Sequence, residues 1–178
     1  MRVIAGTHKG RRLQAPAGRD TRPTSDRIRE ALFSILGGRV VQARVLDLFA
    51  GSGALGIEAL SRGAAEATFV DSDVPAVRAI TANLEAIGAE ATVVRAEARR
   101  FLGGASNAAR QYDLVFLDPP YRLAASLGGD LSAALPAVLA PGATVIAESD
   151  RRAPLELDLP TEDERRYGDT LIRIHGSR

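Results

Sequence analysis

A short apolar strand that carries one acid and runs straight into a glycine turn and a helix constrains this chain more than any other feature. The run is Val45-Leu46-Asp47-Leu48-Phe49-Ala50-Gly51-Ser52-Gly53-Ala54-Leu55-Gly56-Ile57-Glu58-Ala59-Leu60. Val, Leu and Phe around a single Asp fit a central strand of a parallel sheet, covered on both faces. Gly51 and Gly53 remove Cβ atoms where the backbone must turn sharply and approach a ligand. The helix that follows directs unsatisfied N–H groups and a positive dipole end at the same place.

Gly51-Ser52-Gly53-Ala54-Leu55-Gly56 also matches the dinucleotide fingerprint G-x-G-x-x-G, and Asp71 lies 20 residues after Gly51, where such sites keep a ribose-binding acid. Asp47 argues against that reading. It stands before the glycines, where a carboxylate reaches a ligand amine but repels a pyrophosphate. A ligand that is cationic at one end and carries a ribose satisfies both acids, and S-adenosylmethionine is such a ligand. The plainer alternative for Asp47 is a structural cap within the turn.

At 178 residues, 46% hydrophobic and 25% charged, the chain suits one α/β domain with a substantial core. No apolar run reaches the roughly 18 residues of a membrane span, and the N-terminus has no signal-peptide core, so a cytoplasmic location is expected. With no Cys and only His8 and His175, thiolate catalysis is excluded and no metal is expected. The net charge of +1 is unevenly spread. Residues 1–30 hold eight basic and three acidic side chains, whereas the rest holds 15 basic and 19 acidic. A basic arm on a mildly acidic domain points to a phosphate-bearing partner, with a merely solvated N-terminus as the alternative. We place the arm at residues 1–22 and the main domain at 23–178.

Short segments around Gly6 and Gly10 read as a small hairpin. Thr24 or Ser25 serves as N-cap for a helix whose Ile28, Ala31, Leu32 and Ile35 form the packing face, stopped by Gly37-Gly38. Strands are predicted at Ala67–Val70, Thr92–Val94, Tyr112–Asp118 and Ala143–Glu148. Helices are predicted over Val74–Ile87, closed by Gly88, and over Leu123–Leu139, the latter interrupted at Gly128-Gly129 and ended by Pro141-Gly142. A hairpin turning at Gly168-Asp169 closes the chain. The sum is a doubly wound, mostly parallel sheet of seven strands. Asp47, Asp71, Glu97 and Asp118 then fall at or just past strand ends, where such sheets bind ligands. Asp71 suits ribose hydroxyls. Glu97 suits the adenine amine or serves only as a helix cap.

Asp118-Pro119-Pro120-Tyr121 follows the fourth strand. The two prolines donate no backbone hydrogen bond and stiffen the turn, leaving carbonyls and the Asp118 carboxylate as acceptors. An exocyclic amine on a base is a poor nucleophile because its lone pair is delocalised. Acceptors for its N–H groups favour a pyramidal nitrogen aimed at a sulfonium methyl, with no metal or covalent intermediate. Tyr121 suits stacking on a flipped base.

Asp118-Pro119-Pro120-Tyr121 resembles the signature of methyltransferases acting on exocyclic amino nitrogens, and Asp47 to Gly56 resembles their S-adenosylmethionine motif. Together with Arg22-Pro23-Thr24-Ser25-Asp26-Arg27-Ile28-Arg29-Glu30-Ala31-Leu32-Phe33 and Tyr167-Gly168-Asp169-Thr170, nearly the whole chain resembles the bacterial 16S ribosomal RNA (guanine-N2)-methyltransferase family, RsmD-like. That resemblance implies a Rossmann-like class I fold and a monomer. The cofactor would be S-adenosylmethionine, leaving as S-adenosylhomocysteine. The target would be the N2 of G966 in 16S ribosomal RNA of the small subunit or its assembly intermediate. It implies a catalytic set of Asp118, Pro119, Pro120 and Tyr121. The cofactor set would be Asp47, Phe49, Ala50, Gly51, Ser52, Gly53, Asp71, Ser72, Glu97 and Ala98, with Arg22 and Thr24 at the methionine end. Arg2, Lys9, Arg11 and Arg12 would touch RNA. The alternative activity is DNA adenine-N6 methylation, whose target-recognition domain finds no room in 178 residues.

Overall fold

The structure, a computed structural model, describes residues 1–17, 25–104 and 110–177, with Tyr121 described for its backbone only. In chain order the elements are α1 (Asp26–Leu36), β1 (Arg44–Asp47), α2 (Ala54–Ser61), β2 (Glu66–Asp71), α3 (Val74–Ile87), β3 (Thr92–Arg95) and α4 (Ala98–Leu102), followed by β4 (Tyr112–Leu117), α5 (Tyr121–Ala134), β5 (Leu139–Asp150), β6 (Thr161–Tyr167) and β7 (Thr170–Gly176). They build one seven-stranded sheet in the order β3-β2-β1-β4-β5-β7-β6. β1 to β5 run parallel, and β7 and β6 pair antiparallel at the far side. The expected doubly wound fold is therefore the one observed.

Two apolar clusters cover the two faces. One joins α1, α2 and α3 to Val45, Phe69, Leu114, Phe116, Ile146 and Ile172. The other joins α4 and α5 to Leu46, Val70, Val115, Leu117, Val145 and Ala147. Alternate residues of each central strand enter opposite clusters, which is why the strands read as continuous apolar runs.

The local readings hold in part. Ser25 is the N-cap of α1, its Oγ accepting from the Ile28 N–H at 3.3 Å. The buried face of that helix is turned by one residue, however. Arg29, Leu32, Phe33 and Leu36 face inward, and Ile35 is 37% exposed. Apolar periodicity overlooked that a buried Arg can belong to the inner face when Asp26 and a carbonyl receive it. The Arg29 guanidinium donates to Asp26 at 3.0 Å and to the Arg2 carbonyl.

α5 starts at Tyr121 and runs unbroken through Gly128-Gly129. A Cβ on Gly128 would meet the Glu156 carbonyl oxygen at 2.3 Å, so that glycine permits a close approach within a continuous helix. Pro141-Gly142 does not precede the fifth strand either. It lies inside β5, where the register with β4 jumps from Tyr112↔Leu139 to Leu114↔Thr144. A proline is tolerated where ladder pairing is interrupted.

The first residues form a narrow loop held by one antiparallel bridge, Arg2↔Arg12, with Val3 and Leu13 buried in the core. The Ile4 and Ala5 N–H groups donate to Glu58 of α2 at 2.7 and 3.0 Å. Gly6 lies so close to the end of α2 that a Cβ there would stand 1.7 Å from the Ser61 carbonyl oxygen. Among the described residues no helix is long and apolar enough to cross a membrane.

Candidate active site

Parallel pairing aligns the acids that the sequence singles out. Asp47 stands opposite Phe69 on one side and Phe116 on the other. Asp71 and Asp118 each lie two residues further along those neighbouring strands. Asp71 stands opposite Arg95, and Glu97 follows two residues later. Four adjacent strands, spaced about 4.8 Å apart, thus end in a stepped row of acids of equal parity at the carboxyl edge.

The glycine turn is built by two of those acids. α2 has Gly53 at its N-cap, which offers no side-chain acceptor. Asp47 supplies it instead, its carboxylate accepting from the Gly56 N–H at 2.9 Å. Asp71 accepts from the Gly51 N–H at 2.9 Å and from the Asp73 N–H at 3.0 Å, so β2 fixes the start of the same turn. Gly51 and Gly53 adopt φ of 57° and 77°, and Phe49 is held at 140°, where a side chain costs energy. The Phe49 and Ala50 N–H groups both donate to the Val70 carbonyl, at 3.2 and 3.0 Å, which holds that unusual backbone in place. Gly56 serves packing: a Cβ there would lie 2.3 Å from the buried Phe69 ring.

Burial pushes the Asp47 carboxyl up to about 7, against the stabilising Gly56 hydrogen bond and with a smaller push from Asp71. A carboxyl this buried and this perturbed, at the mouth of a glycine turn, is a candidate ligand residue. It is also the cap that the sequence left as the plainer alternative. The two roles are compatible because a carboxylate accepts several hydrogen bonds.

Asp118 is half-buried at the end of β4, the strand next to β1, with Pro119 buried behind it. Pro120 is the N-cap residue of α5, so Tyr121 opens that helix; its side chain lies outside the described residues. Arg22 and Thr24 also lie outside them. Glu97 is exposed at the N-cap of α4 without a side-chain capping bond, and Ala98 is buried beside it. Ser72 follows Asp71 and is half-buried. Arg2, Lys9, Arg11 and Arg12 are exposed on the N-terminal loop, Arg2 lying 3.6 Å from Asp26. Among the described residues no group of three or more His, Asp or Glu could hold a metal ion.

Sequence reasoning missed Asn83. This α3 residue, 1% exposed, donates from its amide to the Ser52 carbonyl at 2.9 Å and to the Gln14 carbonyl at 3.0 Å, and accepts from the Gln14 N–H at 2.8 Å. It also missed Glu58, which sits in the glycine-turn helix and receives the N-terminal loop, together with Arg62 at 2.7 Å. Both are polar residues on otherwise apolar inner faces, which is the one signal the sequence offers for them.

Residues 1–176 match the family described as Conserved hypothetical protein 95. The chain belongs to that family, the RsmD family. Bacillus subtilis YlbH is 39% identical over 188 residues, covering 100% of both chains. Ribosomal RNA small subunit methyltransferase D of Escherichia coli is 44% identical over 123 residues, or 68% of this chain and 61% of that protein. The solved structure of Escherichia coli YhhF superposes with a TM-score of 0.84 at 35% identity, covering 100% of this chain and 98% of that one. The fold is also that of the Thermus thermophilus 16S rRNA N2 G1207 methyltransferase in complex with AdoMet and guanosine. That match has a TM-score of 0.73 at 24% identity, over 91% of this chain and 44% of that one.

Proposed function

We propose that this chain transfers a methyl group from S-adenosylmethionine to the exocyclic N2 of a guanine in 16S ribosomal RNA, G966 by family resemblance. The observation that carries the reading is the position of Asp118-Pro119-Pro120. It lies at the end of the central strand β4, directly beside the strand whose end makes the glycine turn. Membership of a family whose relatives include ribosomal RNA small subunit methyltransferase D supports the substrate class.

The residues present fit the cofactor. Two carboxylates, Asp47 and Asp71, bond the backbone of the glycine turn, which suits a ligand with an ammonium, a sulfonium and ribose hydroxyls better than a pyrophosphate. Asp47 would hold the cationic end and Asp71 the ribose. Phe49 to Gly53 would form the floor, and Ser72, Glu97 and Ala98 the adenine side. Arg22 and Thr24 would border the methionine end. When bound, S-adenosylmethionine supplies an electrophilic methyl, so that an N–C bond forms as a C–S bond breaks and S-adenosylhomocysteine leaves. Asp118 and the Pro119 carbonyl would accept the two N–H bonds of the guanine amine, localise its lone pair and aim it in line. The nitrogen gives up one proton in the transfer, and Asp118 is the acceptor assigned to it. Tyr121 would stack on the base. Residues 1–22, through Arg2, Lys9, Arg11 and Arg12, would contact RNA beside a catalytic domain of residues 23–178.

The test is transfer of labelled methyl from S-adenosylmethionine to small ribosomal subunits that lack their own methylations, with nucleoside analysis. N2-methylguanosine at one position is the expected product. Label in DNA offered in parallel, recovered as N6-methyl-2′-deoxyadenosine with none in ribosomal RNA, would overturn the substrate assignment and leave the amine chemistry intact.

A further inference from the structure

We propose that a cleft lined by Arg151, Arg152, Arg166 and Arg173, remote from the N-terminal loop, is a second seat for the RNA phosphate backbone; this rests on the RNA methyltransferase reading above. The cleft has a volume of about 270 Å³, with Leu171 and Pro154 as its apolar part and Glu164 as its single acidic lining residue.

Its place in the sheet makes it relevant. Leu117, which precedes Asp118, stands opposite Ala147 of β5, and Ala147 stands opposite Arg173 of β7. Arg173 is therefore level with the end of the catalytic strand and two strands away, about 10 Å. Arg166 pairs with Leu171, which is opposite Ser149, a position beyond that level. Arg151 and Arg152 leave β5 at the same edge, and Arg151 is tied to the β6–β7 turn by its N–H to the Asp169 carbonyl at 2.9 Å. On the opposite flank of β4, the N-terminal loop is fastened to the glycine turn through Gln14, Asn83 and Ser52. Asp118 thus stands between two basic surfaces, and an RNA strand presenting a base to it would extend toward both.

Stability does not account for Arg151 and Arg152 at this cleft. Arg151 and Arg152 approach Asp169 at 3.2 and 3.6 Å, with side chains 51%, 72% and 44% exposed. Such surface pairs contribute at most about 1 kcal/mol. The acids also leave donors over. Asp169 and Glu156 do not line the cleft, and Asp150 turns back to the Arg152 backbone N–H. Arg166 places both Nε and Nη2 on one oxygen of Glu164, and Arg173 engages Glu164 and Glu156 through Nε and Nη1. Each guanidinium carries five N–H donors, so several remain on every one. Planar guanidiniums braced by Glu164 in the wall and by Glu156 and Asp169 beside it suit bidentate contacts to phosphodiester oxygens. With a net charge of only +1 over the whole chain, attraction for a polyanion must come from local placement of this kind.

The experiment compares the full chain with Arg151→Ala/Arg152→Ala and with Arg166→Ala, measuring affinity for unmethylated 16S ribosomal RNA across a salt series. Loss of two phosphate contacts is expected to flatten the slope of log K against log salt by about 1.4. KM for RNA should rise several-fold at constant kcat, with cofactor affinity and thermal unfolding unchanged. Arg11→Ala/Arg12→Ala, on the other flank, provides the independent comparison. An unchanged slope and KM in the Arg151/Arg152 variant, while the unsubstituted chain methylates RNA, overturns this proposal alone. An unsubstituted chain that neither binds nor methylates ribosomal RNA overturns it together with the functional reading. Normal binding to free RNA but loss of binding to assembled subunits would identify a protein contact and overturn the RNA assignment.

Discussion

The side-chain amide of Asn83 donates to the carbonyl of Ser52 at 2.9 Å, which ties the middle of α3 to the glycine turn. The same side chain closes a two-bonded contact with the backbone of Gln14. One buried amide therefore links the N-terminal loop to the turn proposed to hold the cofactor. A second link joins the Ser52 hydroxyl to the Met1 sulfur at 3.2 Å.

Asn83→Ala removes three hydrogen bonds and leaves the Gln14 and Ser52 backbone groups to find water. At about 1 kcal/mol for each bond, the expected loss is about 3 kcal/mol of unfolding free energy, read from denaturant titration. Faster amide exchange at both Gln14 and the 51–56 turn, with weaker cofactor binding, would show that the two segments are held as one unit. A loss confined to Gln14 would show that the turn stands without the loop.

How much of this was legible beforehand divides along physical lines. Apolar runs bounded by turn residues reveal strands and their alternation with helices, so the sheet and the row of Asp47, Asp71, Glu97 and Asp118 were readable. Asn83, Glu58 and Arg29 were not, because beside the local Arg29–Asp26 and Glu58–Arg62 pairs each is bound to backbone groups 27 to 69 residues away, which no local pattern encodes. The continuity of α5 through Gly128 was hidden for the same reason. Its glycine answers to the Glu156 carbonyl of a later loop, and helix propensity alone favours a break.

Asp118→Ala should reduce methyl transfer by at least 100-fold while changing cofactor affinity by no more than a few-fold. It removes the acceptor proposed for the base amine and leaves the Asp47–Asp71 side untouched. Single-turnover rates and calorimetric titration separate the two effects. A collapse of cofactor affinity with near-normal turnover at saturation would move Asp118 out of the base site.

Asp47 gives a pH signature. Its folded carboxyl titrates at about 7 against 3.8 when unfolded, so between those values the folded chain binds the extra proton. Stability from this group therefore declines as pH rises from 3.8 toward 7. A cationic ligand reverses the preference, since it favours the carboxylate. Cofactor affinity should thus increase with pH up to about 7 and then level off, and binding below 7 should release close to one proton. Calorimetry in buffers of different ionisation enthalpy measures that release directly. Asp47→Asn should bind more weakly and without the pH dependence; an equal dependence in that variant would assign the titration to another group.

Gly56 and Phe69 test the packing of the glycine turn. In an exposed helix Gly→Ala gains about 1 kcal/mol. Here the added Cβ would lie 2.3 Å from the fully buried ring of Phe69 on β2. The ring is fully buried, and overpacking of this kind costs about 1–3 kcal/mol. Gly56→Ala is therefore expected to be destabilising overall, with a lower unfolding midpoint and weaker cofactor binding because α2 must move away from β2. Phe69→Leu alone should also destabilise, through lost burial. Combined, the two should cost less than the sum of the single changes, because the smaller side chain makes room for the new methyl. Simple additivity would mean that the glycine's value lies in its backbone freedom and not in its contact with Phe69.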